Sequence, residues 1–290
     1  MRILVTGANG QLGNELRVLA KNAPEYDFIF SDITEHPTDK TEFIDITKKV
    51  ELDEQLDFIV NCAAYTNVDA AEDNEGIAFK LNCIAPSILA GLALEKGAAL
   101  IHISTDYVFN GNGTRPYTDT DSPDPVSAYG RTKLAGEKTV ISSGCRYVII
   151  RTAWLYSEYG RNFLKTMMRL TSEKPEVKVV NDQIGSPTYA LDLAKAIMTV
   201  VKAGVNAENQ GIYHFSNEGV CSWYDFASEI ARLGGHDGVV KPCTSAEFPS
   251  KVHRPAYSVL DKSKIKEVFG AEVPQWQDSL KECYGKMAGQ

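Results

Sequence analysis

Three features that would assign the chain to a particular class are missing from its sequence. No stretch approaches the ~20 consecutive apolar residues that a membrane span requires, and the N-terminus lacks the long apolar core of a secretory signal. The 30 basic residues are outnumbered by 38 acidic ones and form no block, so the sequence offers no electrostatic footprint for nucleic acid. We therefore expect a cytoplasmic protein that binds neither a membrane nor nucleic acid.

Cysteine is sparse, and its spacing is not that of a metal or redox site. None of the six cysteines forms a C-x-x-C pair, and most stand in apolar surroundings. They lie at positions 62, 83, 145, 221, 243 and 283. This pattern indicates buried free thiols in a reducing compartment and predicts no metal site.

Short apolar runs alternate with helical patterns through the first half of the chain. The runs predict strands over 2–6, 27–32, 57–64, 98–104 and 145–154. Apolar residues at helical spacing predict helices over 11–22, 45–56, 78–97 and 126–143. Strands that are almost wholly apolar and separated by helices are typical of a parallel sheet covered on both faces. The expected fold is α/β, a doubly wound, Rossmann-like parallel sheet.

The second half is less regular and predicts a second, smaller mixed α/β lobe. The expected helices cover 161–173, 190–204 and 222–235, and one further strand covers 211–216. We expect a dinucleotide-binding domain over 1–154 and about 187–216, because the late strand extends the sheet. A nucleotide-sugar substrate lobe would then comprise about 155–186 and 217–290, with a cleft between the two.

A glycine-rich loop, "GANGQLG", directly follows the first predicted strand and opens a helix. In this context Gly7 permits a sharp turn, and Gly10 lets the backbone approach a pyrophosphate at the helix N-terminus. Gly13 lets the helix pack closely on the strand. The spacing differs from G-x-G-x-x-G, so a plain turn between strand and helix is the alternative interpretation.

Two acidic residues extend the predicted cofactor site. Asp32 ends the second strand, at the distance expected for a carboxylate that binds the adenosine ribose 2′-OH. No Arg or Lys adjoins it to hold a 2′-phosphate, which favours NADH over NADPH. Asp45, in "FIDIT", is placed to meet the adenine edge. For each, the alternative is a solvated surface acid.

A tyrosine, a lysine and a strand-end hydroxyl form the predicted catalytic group. Tyr129 and Lys133 are four residues apart on a predicted helix and therefore share one face. A phenol with its usual pKa of about 10 becomes a better proton shuttle beside an ammonium group. Ser104 and Thr105 end the fourth strand, where ligands of open α/β sheets bind. A hydroxyl there can hold a substrate carbonyl near Tyr129.

The chain resembles the extended short-chain dehydrogenase/reductase family over nearly its whole length. The matching segments include "VTGANGQLGNEL", "VNCAAYTNVDAAE", "YGRTKLAGE", "RTAWLYS" and "RPAYSVLD". The strings "STDYVFNG" and "NDQIGSPT" are similar to a nucleotide-sugar reductase branch of that family. The resemblance implies NAD(P)H-dependent reduction of the C4 keto group of dTDP-4-dehydro-L-rhamnose to dTDP-L-rhamnose.

The same resemblance implies roles for individual residues. Thr105 would polarise the carbonyl, Tyr129 would donate the proton, and Lys133 would tune Tyr129 and hold the nicotinamide ribose. Residues implied to hold the pyrophosphate or flank the cofactor are Gly7, Gly10, Gln11, Leu12, Gly13, Ala63 and Ala64. Residues implied to line the substrate site, beside Thr105, are Thr66, Val68, Tyr107, Trp154, Asn162 and Arg254. Asn162 and Arg254 are assigned to the nucleotide diphosphate, for which Arg is suited.

Other activities of related enzymes are weighed against this one. Sugar 4,6-dehydratases carry Asp and then Glu after the Thr, whereas Asp106 and Tyr107 follow Thr105 here. An epimerase and a non-catalytic regulatory subunit of the same fold remain alternatives, the latter disfavoured by the intact catalytic group. Some related reductases form a homodimer around Mg²⁺, for which Glu15 and Asp192 are weak counterparts.

Overall fold

The computed structural model describes residues 1–235, 238–248 and 250–288, so 236–237, 249 and 289–290 of the predicted lobe lie outside the described residues. Within these ranges the strands are β1 (Arg2–Thr6), β2 (Asp27–Asp32), β3 (Glu42–Phe43), β4 (Phe58–Asn61), β5 (Ala99–Thr105), β6 (Arg146–Thr152), β7 (Leu155–Tyr156), β8 (Glu176–Val180), β9 (Ile184–Gly185), β10 (Thr188–Tyr189), β11 (Gly211–His214), β12 (Cys221–Ser222) and β13 (Val239–Cys243). The helices are α1 (Gln11–Ala20), α2 (Val68–Asp73), α3 (Glu75–Phe79), α4 (Ala85–Lys96), α5 (Ala128–Ser142), α6 (Phe163–Glu173), α7 (Ala190–Ala203), α8 (Trp223–Gly234), α9 (Ser263–Phe269) and α10 (Trp276–Ala288).

Seven strands form one parallel sheet in the order β3-β2-β1-β4-β5-β6-β11. Ile3 of β1 pairs with Phe28 of β2 on one side and with Phe58 of β4 on the other. The strand order therefore reverses at β1, and the crevice beyond the carboxyl ends of β1 and β4 is where such folds bind ligands. The predicted doubly wound, Rossmann-like sheet is confirmed.

Both faces of this sheet are buried, which explains its continuous apolar strands. Successive side chains of a strand point to opposite faces. Ile3 and Val5 pack with residues of α1 and α7 on one face, whereas Leu4 packs with residues of α4 on the other. Helices on both faces leave no solvated side, so the strands carry no alternating polar residues.

One helical segment corrects the expectation that no stretch is long and apolar enough to span a membrane. A π-helical turn at Lys80–Ile84 joins α3 to α4, and Glu75–Lys96 is a helix long and apolar enough to cross a membrane by length and composition. Half of its apolar window is buried within the protein. Ala85, Leu89 and Leu92 belong to the core beside the sheet. Packing against the sheet accounts for the buried apolar side chains of this segment, whereas four others, Ile77, Phe79, Ile84 and Leu94, are exposed.

The predicted helix over 45–56 is wrong, because this segment consists of turns, bends and extended chain. The Asp45 carboxylate accepts hydrogen bonds from the Thr47 backbone N–H, at 3.0 Å, and from the Thr47 hydroxyl, at 2.6 Å. Such local bonds between side chain and backbone compete with a helical ladder. The sequence also failed to predict α2, α9 and α10, whereas the other predicted helices and strands of the sheet are present within a few residues.

A second region lies beyond β6 and contains three pairs of short strands. Strands β7 and β10 are parallel, β9 and β12 are antiparallel, and β8 and β13 are parallel. Helices α6, α8 and α10 pack with them around an apolar cluster that includes Tyr156, Phe226, Ile230, Trp276 and Leu280. Between these segments the chain returns to the main sheet as β11, which pairs with β6.

Candidate active site

A cleft of about 1040 Å³ opens at the carboxyl ends of the central strands. Its lining contains most of the residues predicted from the sequence: Gly7, Gly10, Gln11, Leu12, Asp32, Asp45, Ala63, Ala64, Thr66, Val68, Thr105, Tyr107, Tyr129, Lys133 and Trp154. Of the remaining predicted residues that the structure describes, Gly13, Asn162 and Arg254 are not part of this lining. Segments far apart in the chain therefore meet around one cavity of the size typical for ligand sites.

The glycine loop forms a cradle into which side chains would not fit. Gly7 has a φ of +68°, and a Cβ there would lie 2.6 Å from the backbone nitrogen of Ala63. A Cβ on Gly13 would lie 2.5 Å from the Cα of Ala8. Gly10 caps α1, whose amino end faces the cleft. A close-approaching backbone at the positive end of a helix fits the pyrophosphate of a dinucleotide.

The two predicted adenosine-binding acids line the same end of the cleft. Asp32 accepts hydrogen bonds from the backbone N–H groups of Asn9, at 3.1 Å, and Ile33, at 2.8 Å, which fix its carboxylate beside the glycine loop. Hydrogen bonds from Thr47 and then Lys48 lower the pKa of Asp45 to about 2. Both Asp45 oxygens already have partners in these two residues.

The catalytic candidates are brought together by the start of α5. Ser127 caps this helix by accepting a hydrogen bond from Gly130 N–H at 3.1 Å. A Cβ on Gly130 would lie 2.2 Å from the carbonyl oxygen of Tyr107, so the helix packs directly on the chain that follows β5. Tyr129 and Lys133 consequently share the buried side of α5 and line the cleft with Thr105.

Burial determines the protonation of this group. Burial raises the pKa of Tyr129 above its usual value, while a hydrogen bond with Thr105 opposes the shift. Burial also lowers the pKa of Lys133 to about 8, with Glu137 opposing. Lys133 Nζ donates to the carbonyl oxygen of Ile103 at 2.6 Å. The expectation that Lys133 eases ionisation of Tyr129 stays a prediction; in this structure desolvation is the largest effect on the pKa of the phenol.

A further titratable group, Asp106, lines the cleft beside Thr105. The Thr105 hydroxyl donates to Asp106 Oδ1 at 2.8 Å. Burial raises the pKa of Asp106 to about 7, against the opposing effect of this hydrogen bond. No role was predicted for Asp106, although its position directly after a strand-end hydroxyl was a signal that could have revealed one.

Aromatic side chains form the wall opposite the glycine loop. Trp154 has a φ of +50° and, among the described residues, is the one non-glycine residue with positive φ. Its ring stacks on Trp223 with centroids 3.6 Å apart and planes at 12°. A Cβ on Gly185 would lie 2.7 Å from the Trp154 ring. Trp223 was missed, because it comes from α8, far from Trp154 in the sequence.

The two residues assigned to the nucleotide diphosphate contact different segments of the protein. Asn162 Nδ2 donates to Gln11 Oε1 at 2.9 Å, at the glycine loop. The Arg254 guanidinium donates to Asp69 Oδ2 at 2.5 Å and to the Tyr107 hydroxyl at 3.1 Å. The structure thus brings Asn162 to the cofactor end of the cleft and Arg254 behind Tyr107.

The two acids considered for Mg²⁺ have separate environments. Burial, and to a smaller extent a hydrogen bond with Glu158, raises the pKa of Glu15 above its usual range. Asp192 Oδ2 accepts from Asn217 Nδ2 at 2.8 Å and from the Ser279 hydroxyl at 2.5 Å. In the part of the chain that the structure describes, no three His, Cys, Asp or Glu side chains are placed to hold a metal. A metal held between two copies of the chain is not tested by the contacts of one copy, so Mg²⁺ at Glu15 and Asp192 stays a prediction.

Comparisons with known proteins agree with this architecture. The family described as RmlD substrate binding domain matches residues 1–288. A dTDP-4-dehydrorhamnose reductase of Aggregatibacter actinomycetemcomitans is 37% identical over 97% of both chains. A dTDP-4-dehydrorhamnose reductase structure from Clostridium acetobutylicum is 42% identical with a TM-score of 0.92, covering 99% of this chain and 100% of that one.

A further structure bears on the cofactor. The dTDP-4-dehydrorhamnose reductase of Bacillus anthracis, solved in complex with NADP, is 37% identical with a TM-score of 0.88. The match covers 98% of this chain and 99% of that one. From the family match and these full-length similarities, the chain belongs to the RmlD substrate binding domain family, among the reductases of the extended short-chain dehydrogenase/reductase class.

Proposed function

We propose that this chain is an oxidoreductase that reduces the C4 keto group of dTDP-4-dehydro-L-rhamnose, forming dTDP-L-rhamnose at the expense of NADH or NADPH. The observation that carries the proposal is a Tyr129 phenol buried beside Thr105, in a cleft that also contains the glycine cradle. Full-length relatives with the name dTDP-4-dehydrorhamnose reductase support the choice of substrate.

The cofactor is assigned to the glycine end of the cleft. Gly7, Gly10 and the amino end of α1 would hold its pyrophosphate, and Asp32 would bind the adenosine ribose. When bound, the reduced nicotinamide supplies hydride to the carbonyl carbon. NADH is the favoured cofactor in this proposal, because the Asp32 carboxylate would repel a 2′-phosphate.

Residues of this chain stabilise the negative charge that develops on the carbonyl oxygen. Tyr129 is protonated and donates its proton to that oxygen. A hydrogen bond from the Thr105 hydroxyl steadies the oxygen once this hydroxyl turns away from Asp106. The ammonium of Lys133, in its buried position, adds positive charge near the same group.

The sugar and its diphosphate are assigned to the opposite side. Trp154 would present an apolar ring to the deoxysugar, with Thr66, Val68 and Tyr107 completing the pocket. Arg254 and Asn162 are the candidates for the nucleotide diphosphate, Arg254 through a charge-assisted contact. Release of Arg254 from Asp69 would free its guanidinium for this contact.

The experiment that tests this function measures NADH and NADPH oxidation with a panel of dTDP- and UDP-linked 4-ketosugars. We expect turnover with dTDP-4-dehydro-L-rhamnose and its loss in Tyr129→Phe. Absence of turnover with every 4-ketosugar, in a folded protein that binds NADH, would contradict the proposal. Protein purified with a non-exchanging oxidised cofactor, and able to invert a sugar centre without net reduction, would be an epimerase instead.

The organisation and location of the chain complete the proposal. Residues 1–154 and about 187–216 would form the dinucleotide-binding domain, and about 155–186 and 217–290 the substrate lobe. The pairing of β11 with β6 supports this division.

Six free cysteines suit the reducing cytoplasm. A homodimer, with or without Mg²⁺ at Glu15 and Asp192, is part of the proposal, and light scattering would detect it.

A further inference from the structure

Two cations that line the cleft, Lys80 and Arg161, have no role in the proposed chemistry, and the loop that carries Arg161 is bonded to Gln11 of the glycine loop. Among the described residues, the Lys and Arg side chains that line the cleft are Lys80, Lys133 and Arg161. Lys133 is buried and bonded to a carbonyl. Arg161 is exposed, and no described residue forms an ion pair or hydrogen bond with its guanidinium. Its charge is therefore available to a ligand in the cleft.

The loop that carries Arg161 is attached to the glycine loop on both sides of this residue. The Ser157 hydroxyl donates to Gln11 Oε1 at 3.1 Å, and Asn162 Nδ2 donates to the same oxygen at 2.9 Å. Gly160 has a φ of +63°, and a Cβ there would lie 3.3 Å from Gln11 Cγ. Gln11 is the first residue of α1, so these bonds hold Arg161 at the amino end of that helix.

The glycine loop and its helix end supply less positive charge than a diphosphate carries negative charge, and Arg161 can supply more. The amino end of a helix contributes an effective charge of roughly +0.5, whereas a diphosphate carries two or more negative charges. Lys and Arg are absent from the sequence of the glycine loop itself, Gly7–Gly13. An arginine can bind two phosphate oxygens at once, and its fork adds both charge and direction.

We propose that Arg161 binds the pyrophosphate of the dinucleotide from the second region of the protein, opposite the glycine loop. The inference rests on the proposed cofactor site and adds to it a ligand from the other side of the cleft. A diphosphate is also present in a nucleotide sugar, but the attachment of this loop to Gln11 favours the cofactor.

Calorimetric binding of ADP, adenosine and dTDP to the full chain tests the proposal. Arg161→Gln should weaken ADP binding roughly tenfold, because a charge-assisted hydrogen bond is lost. Adenosine, which has no phosphate, should bind the variant and the unchanged protein equally. The ADP affinity of the unchanged protein should also fall more steeply with salt than that of the variant.

The matched control is Arg169→Gln, which removes the same charge from an exposed position of α6 paired with Glu173. ADP binding should be unchanged in this control, and Arg161→Lys should restore part of the affinity lost in Arg161→Gln. An unchanged ADP affinity in Arg161→Gln would overturn the proposal, as would an equal loss for adenosine. A loss confined to dTDP would overturn it in favour of the substrate diphosphate.

These measurements involve no turnover, so the inference and the proposed function can fail separately. Thermal unfolding of Arg161→Gln should match that of the unchanged protein, since the side chain is exposed and has no partner among the described residues. Tight ADP binding that depends on Arg161, in a chain that reduces no 4-ketosugar, would retain this inference while rejecting the reductase.

Discussion

At the glycine end of the cleft the lining is largely backbone, whereas at the opposite end it consists of aromatic side chains. The glycine end comes from one contiguous stretch, Gly7–Gly13, that starts directly after β1. At the aromatic end Tyr107 and Trp154 line the cleft, and Trp223, which is not part of the lining, stacks on Trp154; the three come from separate segments. Backbone geometry follows from local sequence, but a stacked pair of rings depends on how distant elements pack.

This difference predicts that the two ends respond differently to mutation. Substitutions at the glycine end should change cofactor binding and stability through the backbone. Substitutions at the aromatic end should change the KM for the sugar with little effect on the dinucleotide. Tyr129 and Lys133 stand between the two ends, where both ligands would meet.

The largest expected effect follows from Tyr129→Phe, which removes the proton donor. We expect kcat to fall by roughly 10²- to 10⁴-fold, the usual range for loss of a general acid. NADH affinity should stay within about twofold, because the glycine end is untouched. Steady-state kinetics and fluorescence titration with NADH measure the two quantities. An unchanged kcat would mean that the proton comes from another group.

The pH dependence of turnover sharpens the role of Lys133. Because burial lowers its pKa to about 8, the ammonium is present at pH 7 and is lost as the pH rises through that value. We expect kcat/KM for the sugar to fall about tenfold per pH unit above this pKa. A pH profile from 6 to 10 measures it. A flat profile to pH 10 would show that the Lys133 charge does not contribute.

Gly13→Ala should destabilise the glycine end of the cleft by overpacking. The added Cβ would lie 2.5 Å from the Ala8 backbone, which has no flexible side chain that could move aside. We expect the free energy of unfolding to drop by about 1–3 kcal/mol, as in overpacked cores, together with weaker NADH binding. Urea unfolding measures the first effect. Gly144→Ala has open space and is the control for packing, although its φ of +79° adds backbone strain of its own.

The smallest effect is expected at the aromatic end, in Trp223→Ala. Loss of the stack would leave the Trp154 ring unsupported and raise the KM for the nucleotide sugar by roughly threefold to tenfold, the equivalent of one aromatic pair. NADH affinity and kcat should change little, and Trp223→Phe should recover most of the loss. If NADH affinity falls as much as sugar affinity, the two ends are not independent and the comparison fails.

Sequence reasoning predicted local features well and long-range ones poorly. The strands of the sheet, the glycine loop and the Tyr129–Lys133 pair each depend on spacing within a few residues, which the sequence displays directly. The helix expected over 45–56 failed because a single carboxylate, Asp45, bonds to Thr47 instead. The apolar helix Glu75–Lys96 could not be assessed from composition, because its burial against the sheet is a tertiary property.

The sequence by itself determined most strands and helices of the main sheet and the positions of the glycines, since periodicity and the absence of a Cβ act locally. Only the tertiary structure decided that Tyr129 lies buried beside Thr105, because this placement depends on how α5 packs against the chain that follows β5. It also decided which partners meet: Trp223 stacks on Trp154, Arg254 bonds to Asp69, and Arg161 lies at the glycine loop. Each of these contacts joins residues that chain spacing leaves unrelated, so folding alone determines them.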